Sequence, residues 1–476
     1  MSTALPASAG KTVAGKAASI RLRRAVALML MTVVAPGSAQ LAAGNKKVGR
    51  FALRAYAVAL LFVLVLGATL LVSRDEILRL FTSPLFLGIV RFGLIGYAVA
   101  WAYLLIDAWR IANPLGLRQN HRLAMTFLNG VLCLSLSGAL LYASHLVAVQ
   151  KDFIQTVFTH SAVSQAQDGR YNILLLGGDA GAGRVGLRPD SMTVVSIDQE
   201  TGRTVLFGLP RNLADAPFPP GTVMHRQFPN GFDCGGCYLN AVNTWADDHA
   251  SLFPGVAQPG VLATTQAIEQ ITGLTINYYV MVDLGGFQEL VDALGGVVVD
   301  VHQTVPIGGI GHSITGRILP GKQRLNGFQA LWYARSRVWS SDYSRMARQK
   351  CVMDAMLHQL DPQTVLTKFG SIASAGKKIL STSIPAGEIH TFVGLALRAR
   401  NLPVTTVSFV PPKIDTGNPD WALIRQMVGT AITRSEAAGS TKPPAHRPKP
   451  PVSDGGRDSY QQSYAPNDTS DLSGTC

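Results

Sequence analysis

The sequence is short of charged residues and of cysteine. Asp, Glu, Lys and Arg make up 15% of the 476 residues, and hydrophobic residues make up 47%. Soluble domains carry roughly 25% charged residues, so this composition indicates that part of the chain lies in a membrane.

Several catalytic signatures are absent as well. The sequence has no G-x-x-x-x-G-K-[ST] phosphate loop and no G-x-S-x-G elbow, which excludes P-loop nucleotide hydrolases and α/β-hydrolases. The spacing of His225, His249, His302 and His312 is not that of metal ligands, so surface or packing roles are expected for them. No cleavable signal peptide pattern is present, and the N-terminal segment is expected to remain as an anchor.

Positive charge is concentrated at the N-terminal end. Residues 1–150 hold 15 Lys and Arg against three Asp and Glu, and so they carry 12 of the 13 net positive charges. Because this excess lies between apolar runs, positive-inside topology explains it better than binding to nucleic acid. Nucleic acid is therefore not expected as a partner.

Four apolar runs lie in this region, each long enough or nearly long enough to cross a bilayer core of roughly 30 Å. They are residues 25–43, 55–72, 85–106 and 124–149. The first run contains Pro36 and is flanked on both sides by Lys and Arg, so both of its flanks favour the cytoplasm. A re-entrant first segment followed by three spanning helices satisfies both flanks and places everything after Val149 outside. Four full spans would instead leave the large domain in the cytoplasm.

This topology divides the chain into four parts. Residues after about Ser435 are rich in Pro, Ser and charge without periodicity, which predicts disorder. The parts are a basic cytoplasmic N-terminus (1–24), a membrane region (25–150), an exterior domain (151–435) and a disordered tail (436–476). The protein is expected in the cell membrane, multi-pass, with its main domain extracytoplasmic.

Strand and helix patterns alternate through the exterior domain. "YNILLLG", "SMTVVSID", "RTVLFGL", "NYYVMVD" and "VVVDV" are typical of strands, and "GVLATTQAIEQITG", "GFQELVDALGG" and "NGFQALWYA" of helices. A further helix is predicted over "DYSRMARQKCVMDAMLHQL", with Asp342 as its N-cap. The expected fold class is α/β, with a central, mainly β-sheet flanked by helices.

A glycine-rich loop follows the first strand of this domain. Gly181, Gly183 and Gly186 match the G-x-G-x-x-G of dinucleotide-binding folds, a pattern that requires a helix after the last glycine. Pro189 and the β-branched "SMTVVSI" follow instead, so the loop is expected to join two strands. Nicotinamide cofactors are therefore not expected.

Arginines and two acids supply the chemistry that the sequence suggests. Guanidinium groups near a helix start bind phosphate oxygens through charge-assisted hydrogen bonds, and two carboxylates opposite them suit a magnesium ion bridging a diphosphate. Taken singly, such arginines are more often solvated or ion-paired. The candidate phosphate ligands are Arg188, Arg211, Arg335, Arg337, Arg345, Arg348 and Gln349, and the candidate ligands of Mg²⁺ (or Mn²⁺) are Asp179 and Asp190.

The cysteine motif "CGGC" contains Cys234 and Cys237. A C-x-x-C is a local disulfide, a pair of free thiols, or a redox or zinc motif, and an exterior compartment favours the disulfide. The pairing of Cys351 and Cys476 stays open.

Five motifs in order resemble the LytR-CpsA-Psr domain over about residues 170–360. They are "NILLLGGDAGAG…LRPDSMTVVSID", "LFGLPRNL", "CYLNAVNTW", "YYVMVDLGGFQELVDALGGVVVDV" and "LNGFQALWYARSR…SDYSRMARQ". The resemblance implies an α/β domain with an apolar groove for a polyprenyl pyrophosphate. It further implies a membrane-anchored phosphotransferase that moves a phospho-linked glycopolymer from this lipid carrier to a muramic-acid hydroxyl of peptidoglycan.

The resemblance also assigns roles to individual residues. Asp179 and Asp190 match the family's magnesium-site acids, Arg188 the arginine between them, and Arg211 that of its "PRD" motif. Catalytic roles are thereby implied for Asp190, Arg188, Arg211 and Arg337, with Asp190 helping to deprotonate the acceptor hydroxyl. The pyrophosphate ligands implied by the "RxR…R..RQ" set are Arg335, Arg337, Arg345, Arg348 and Gln349.

Two positions depart from the family pattern. Asn212 stands in place of the acid of "PRD", and Tyr238 stands where a basic residue is common. The Ala-, Gly- and Arg-rich usage is typical of a high-GC bacterium, which makes arabinogalactan the expected polymer, with teichoic acid or capsule as alternatives. A polyprenyl-pyrophosphate phosphatase and a non-catalytic protein that binds lipid-linked polymer are the competing functions.

Overall fold

The computed structural model describes residues 8–158, 163–179, 188–309, 313–359 and 380–437, with short pieces between 368 and 375. The chain divides into two compact units, Met1–Asp152 and Phe153–Cys476. The predictions for the three loop glycines, His312, Cys476 and all but the first two residues of the 436–476 tail lie outside the described residues.

The N-terminal unit is built from helices. Within the described residues, three segments are long and apolar enough to cross a bilayer, judged by length and composition: Lys46–Val72, Pro84–Gly116 and Gln119–Val157. The first apolar run is not among these segments, and it is divided between two helices at Ala35, Pro36 and Gly37. The helices are α1 (Ser8–Val34), α2 (Ser38–Ala42), α3 (Lys46–Val72), α4 (Arg74–Thr82), α5 (Pro84–Ile111) and α6 (Gln119–Val157).

The short helix α2 packs closely on its neighbours. Gln40 is fully buried and donates from Nε2 to the Leu104 carbonyl of α5 at 2.9 Å. Gly49 permits the approach of α3, since a Cβ there would lie 2.7 Å from the Leu41 nitrogen. The buried Gln40 amide group thus bonds to a neighbouring helix, which is how a non-spanning segment inside a bilayer satisfies polar donors. Its re-entrant topology and its orientation stay predictions.

The second unit contains a mixed six-stranded sheet with strand order β10-β3-β2-β1-β4-β9. The pairs β1/β4 and β3/β10 are parallel and the other neighbours are antiparallel. Two further two-stranded sheets pair β5 with β8 and β6 with β7. The strands are β1 (Arg170–Asp179), β2 (Arg188–Asp198), β3 (Thr204–Leu209), β4 (Tyr278–Asp283), β5 (Val297–Val301), β6 (Val305–Gly308), β7 (Ile314–Ile318), β8 (Gly321–Leu325), β9 (Leu380–Thr382) and β10 (Thr405–Ser408).

The helices of this unit include each one that the sequence patterns predicted. They are α7 (Val223–Gln227), α8 (Ala241–Asp248), α9 (Pro259–Thr272), α10 (Leu284–Leu294), α11 (Gly327–Arg335), α12 (Asp342–Gln359), α13 (Ile389–Ala399) and α14 (Trp421–Ala437). The strands β1 to β5 also lie where they were predicted. The loop after β1 joins two antiparallel strands, as expected from Pro189, and not a strand and a helix.

Helices cover both faces of the six-stranded sheet. Leu174, Met192 and Phe207 lie in one core cluster with residues of α8, α9 and α14. On the opposite face, Leu206 belongs to a smaller cluster with Met353 of α12. Successive residues of a strand point to opposite faces, so the six buried residues of β3 require cover on both sides. The α/β class is confirmed. A second core lies between the β5/β8 pair and α10, α11 and α12.

Candidate active site

A bulge in the pairing of β1 with β2 positions Asp190. The strands pair in register up to Gly177 opposite Ser191, and the next pair is Gly178 opposite Pro189. Asp190 is the extra residue between these two pairs. Such a bulge bends the strand and re-aims the side chain, which is a common device beside active sites. Proline has no N–H to donate to the ladder, and Pro189 is tolerated here because a position beside a bulge does not need that donor.

Arg211 reaches this bulge from the loop that follows the neighbouring strand, β3. Leu209, the last residue of β3, pairs with Met192 of β2, so the residues just beyond them lie close together. Arg211 Nη1 donates to Asp190 Oδ1 at 2.6 Å, and Arg211 Nε lies 3.3 Å from Asp342 Oδ1. One guanidinium therefore joins the carboxylates of a strand bulge and a helix start.

Asp342 is the point at which three arginines meet. Its carboxylate lies 3.3 Å from Arg211, 3.8 Å from Arg337 and 3.2 Å from Arg345. The prediction that Asp342 caps α12 is wrong. Ser341 provides the cap, since its Oγ accepts from the Ser344 backbone N–H at 3.1 Å. Asp342 is the first residue of the helix, and its side chain turns to the arginines.

Burial and neighbouring charges act in opposite directions on the pKa values of Arg345 and Asp190. Arg345 is 3% exposed, and it donates from Nη2 to the backbone carbonyl of Asp190 at 2.7 Å. Burial lowers the pKa of Arg345, opposed by Asp342 and Asp190. Burial by itself would raise the pKa of Asp190, but Arg211, and then Arg345 and Arg337, outweigh it, and the net pKa is lowered. The Asp190 carboxyl is therefore ionised at neutral pH.

Arg348 and Gln349 hold the connection between α11 and α12. Arg348 donates from Nε to the Tyr333 carbonyl at 2.7 Å, and also to the Ser336 carbonyl. Gln349 donates to the Ala334 carbonyl at 3.1 Å and accepts from Ser191 Oγ at 3.0 Å. These bonds fix the segment that carries Arg337.

Arg335, at the end of α11, lies with its guanidinium 5.5 Å from the Trp332 ring centroid. The hydrogen bonds of Arg348 and Gln349 described above are made to protein groups, mainly backbone carbonyls of the α11–α12 region. Direct contact of Arg335, Arg348 and Gln349 with a pyrophosphate stays a prediction.

Asp179 and Arg188 face each other across the end of the β1/β2 pair. Their side chains lie outside the described residues, as does the loop between them. Among the described residues there is no group of three or more His, Cys, Asp or Glu able to hold a metal ion. Magnesium is often bound by only one or two carboxylates together with phosphate oxygens and water. Two carboxylates on adjoining strand ends, Asp179 and Asp190, therefore suit that ion in donor type.

Sequence reasoning missed a polar network behind the arginines. Asn212 donates from Nδ2 to Thr416 Oγ1 at 3.1 Å and to the Tyr343 hydroxyl at 3.5 Å. Those two hydroxyls also lie 3.1 Å from each other. Thr416 is too far along the chain for any local signal to find it. The role of Asp342 was detectable, because an acid three residues before Arg345 on a helix lies within ion-pairing distance.

Two further features lie in the same unit. Cys234 and Cys237 form a disulfide next to Tyr238, which is 45% exposed.

Lys350 of α12 is 3% exposed, and its Nζ donates to Ser408 Oγ of β10 at 2.6 Å. Burial lowers the pKa of Lys350 to about 8.

The layered α/β unit therefore brings three arginines and two carboxylates together at the end of its sheet. The model of the LytR_cpsA_psr family matches residues 141–413, which is more than half of the chain. The chain belongs to this family.

Two curated relatives illustrate the similarity. Biofilm regulatory protein A of Streptococcus mutans serotype c is 28% identical over 227 residues, 46% of this chain and 51% of that protein. The polyisoprenyl-teichoic acid–peptidoglycan teichoic acid transferase TagU of Oceanobacillus iheyensis is 28% identical over 233 residues, 48% of this chain and 64% of that protein. The chain thus spans between half and two thirds of the length of these relatives.

Two solved structures also show similarity to this chain. The crystal structure of B. subtilis TagV has a TM-score of 0.42 and 22% identity, covering 57% of this chain and 98% of that one. The structure of TagT bound to LIIa-WTA has a TM-score of 0.38 and 17% identity, covering 59% of this chain and 96% of that one.

Proposed function

We propose that this protein is a membrane-anchored transferase that moves a phospho-linked glycopolymer from a polyprenyl-pyrophosphate carrier to a muramic-acid hydroxyl of peptidoglycan. The observation that carries the proposal is the convergence of Arg211, Arg337 and Arg345 on the carboxylates of Asp190 and Asp342. Family membership supports the reaction class, since relatives are named as transferases of teichoic acid to peptidoglycan.

The cluster suits a diphosphate because two of its three arginine side chains are partly exposed and can be reached by a ligand. The side chains of Arg211 and Arg337 are 23% and 30% exposed, whereas that of Arg345 is 3% exposed. The two accessible guanidinium groups bind phosphate oxygens, and Arg345 holds the bulge through the Asp190 carbonyl. Asp342 keeps the arginines close together before the substrate arrives, so little reorganisation is needed on binding.

In the proposed reaction, the acceptor oxygen attacks the phosphorus attached to the sugar. The bond from this phosphorus to the bridging oxygen breaks, and polyprenyl phosphate leaves with the negative charge. Arg211 and Arg337 stabilise the charge that develops on the bridging and equatorial oxygens.

The hydroxyl proton goes to Asp190, which is ionised but a weak base because its pKa is lowered. Asp190 therefore orients the hydroxyl and accepts the proton late, when the new P–O bond has made that proton acidic. Arg188, from the facing strand end, is a further catalytic candidate carried over from the family.

Mg²⁺ (or Mn²⁺) is proposed as the cofactor, with Asp179 and Asp190 as its protein ligands. When bound, the ion would neutralise charge on the diphosphate. The chain's own part is to present two carboxylates from adjoining strand ends.

The polymer and the location are finer proposals. The Ala-, Gly- and Arg-rich composition supports arabinogalactan, while the names of relatives favour teichoic acid. The three long apolar helices support membrane anchoring. The basic flanks of the first apolar run support a cytoplasmic N-terminus and an extracytoplasmic catalytic unit.

The direct test uses the full chain in detergent with a synthetic polyprenyl-pyrophosphate oligosaccharide and magnesium, with and without peptidoglycan fragments. Arg337→Ala is the test variant. Arg226→Ala is its control, because Arg226 is exposed on α7 and bonds to the Gly221 carbonyl. Sugar phosphate attached to the glycan, dependent on Arg337 but not on Arg226, supports the transferase.

Other products contradict the proposal. Release of phosphate or sugar phosphate regardless of acceptor identifies a hydrolase. Tight binding without cleavage identifies a binding or regulatory protein. Chelation of divalent ions tests the cofactor, and full activity after chelation would rule it out.

A further inference from the structure

Trp339 is an exposed aromatic side chain on a strained backbone. Its φ is +64°, in the left-handed region that bulky residues rarely adopt, and its side chain is 57% exposed. Such strain persists only where the surroundings impose it, and it is found at ligand-binding and active sites. Exposure of one aromatic ring is common by itself, but its combination with a strained backbone is not, and this combination points to a role in binding.

The β6/β7 pair holds the ring in place. The Arg317 guanidinium of β7 lies over the Trp339 ring, 5.3 Å from its centroid. Gly309, after β6, lies so close to Val338 that a Cβ there would clash with the Val338 side chain. The ring is therefore anchored by a second structural element, and its orientation does not depend on the α11–α12 connection alone.

The same connection contains the arginine site. Ser340 donates its backbone N–H to the Arg337 carbonyl at 3.3 Å, and its Oγ accepts from Arg348 Nη1 at 3.4 Å. Arg337 itself reaches Asp342 at 3.8 Å. Trp339 therefore lies in a short turn whose two sides are tied to residues of the candidate phosphate site.

We propose that Trp339 and Arg317 form a saccharide-binding subsite beside the phosphate site. The face of an indole ring carries partial negative charge and attracts the polarised C–H groups of a sugar ring. The adjacent guanidinium offers hydrogen bonds to sugar hydroxyls. This inference rests on the proposed function, in which the transferred phosphate links two saccharides. The bound ring belongs either to the polymer donor or to the peptidoglycan acceptor.

Kinetics of the full-length protein distinguish these two sources. Trp339→Gly removes the ring and relieves the positive φ, so this variant is expected to fold. We expect it to raise KM for one substrate by about 3- to 10-fold, with kcat little changed, and Trp339→Phe to retain most of the affinity. A rise in the donor KM identifies the polymer sugar, and a rise in the acceptor KM identifies the peptidoglycan glycan. The control is Leu319→Ala, which removes a side chain 62% exposed just after β7.

A binding measurement separates this inference from the function. Calorimetry with a soluble peptidoglycan tetrasaccharide, and with a lipid-free oligosaccharide phosphate, reports binding even if no transfer occurs. Weaker binding of either one by Trp339→Gly and Arg317→Ala supports the subsite, whatever the reaction proves to be. Unchanged KM values and unchanged saccharide binding overturn it. Loss of binding to anionic lipid vesicles with saccharide binding intact also overturns it, because the ring would then be a membrane contact.

Discussion

Arg211 donates a hydrogen bond of 2.6 Å to Asp190, although the two residues are 21 positions apart in the chain. The bond connects the loop after β3 to the bulge of β2. It exists because β2 and β3 are neighbours and because the bulge turns Asp190 away from the regular ladder. The candidate site is thus organised by the end of the sheet, with α12 supplying Arg345 and the α11–α12 connection supplying Arg337.

We expect Arg211→Ala to lower kcat/KM for transfer by about 100-fold or more, because it removes a preorganised cation that contacts both carboxylates. Arg211→Lys keeps the charge but not the fork of donors, and an intermediate loss is expected. Initial rates with the lipid-linked oligosaccharide provide the measurement. Equal activity of Ala and wild-type proteins would remove Arg211 from the mechanism.

Asp342→Asn is expected to separate binding from catalysis. The amide has the same shape but no charge, so the site becomes more positive and the KM for the donor stays the same or falls. We expect kcat to fall about 10- to 100-fold, since three guanidinium groups lose the carboxylate that holds them. A higher donor KM with an unchanged kcat would contradict this positioning role.

Asn212→Asp tests the departure from the family's "PRD" motif. A carboxylate cannot donate to the Tyr343 and Thr416 hydroxyls, but both hydroxyls can rotate to donate to it, so the protein is expected to fold. The added negative charge beside the arginines should weaken donor binding several-fold. Asn212→Ala is the neutral control, with an expected stability loss of about 1 kcal/mol. If both variants bind the donor equally well, charge at this position is unimportant.

Lys350→Met is expected to stabilise the protein at neutral pH. The folded pKa is about 8 against an ordinary value of 10.5, so between these values the unfolded chain binds more protons and stability rises with pH. Below pH 8 the buried cation costs the folded state free energy. Replacing it should raise the free energy of unfolding at pH 7 by about 2 kcal/mol, after allowing for the lost bond to Ser408.

Thermal unfolding at several pH values measures this effect. The advantage of the Met variant should shrink from pH 8 to pH 10.5, whereas Lys322→Met, at an exposed position, should show no such trend. A Met variant less stable than wild type at pH 7 would contradict the prediction.

The sequence by itself determined most of the helices and strands and indicated many of the candidate site residues. Alternating and 3.6-residue patterns identify β1 to β5 and the helices α9 to α12, because these periodicities are local properties of the chain. Hydropathy and charge likewise distinguish the broken first apolar run from three segments long enough to span a bilayer. Arg211, Arg337 and Arg345 were predicted as phosphate ligands; the structure brings them together at Asp342, and their binding of phosphate stays a prediction.

Only the tertiary structure decided what each side chain does. The bulge that aims Asp190 depends on how two strands pair, and the burial of Arg345 depends on where α12 docks. Ser341 took the capping position expected of Asp342, and Asp342 became the common partner of three arginines. Arg348 and Gln349 bond to the α11–α12 connection. These outcomes arise from contacts between residues far apart in the chain, and such contacts leave no periodic trace in the sequence.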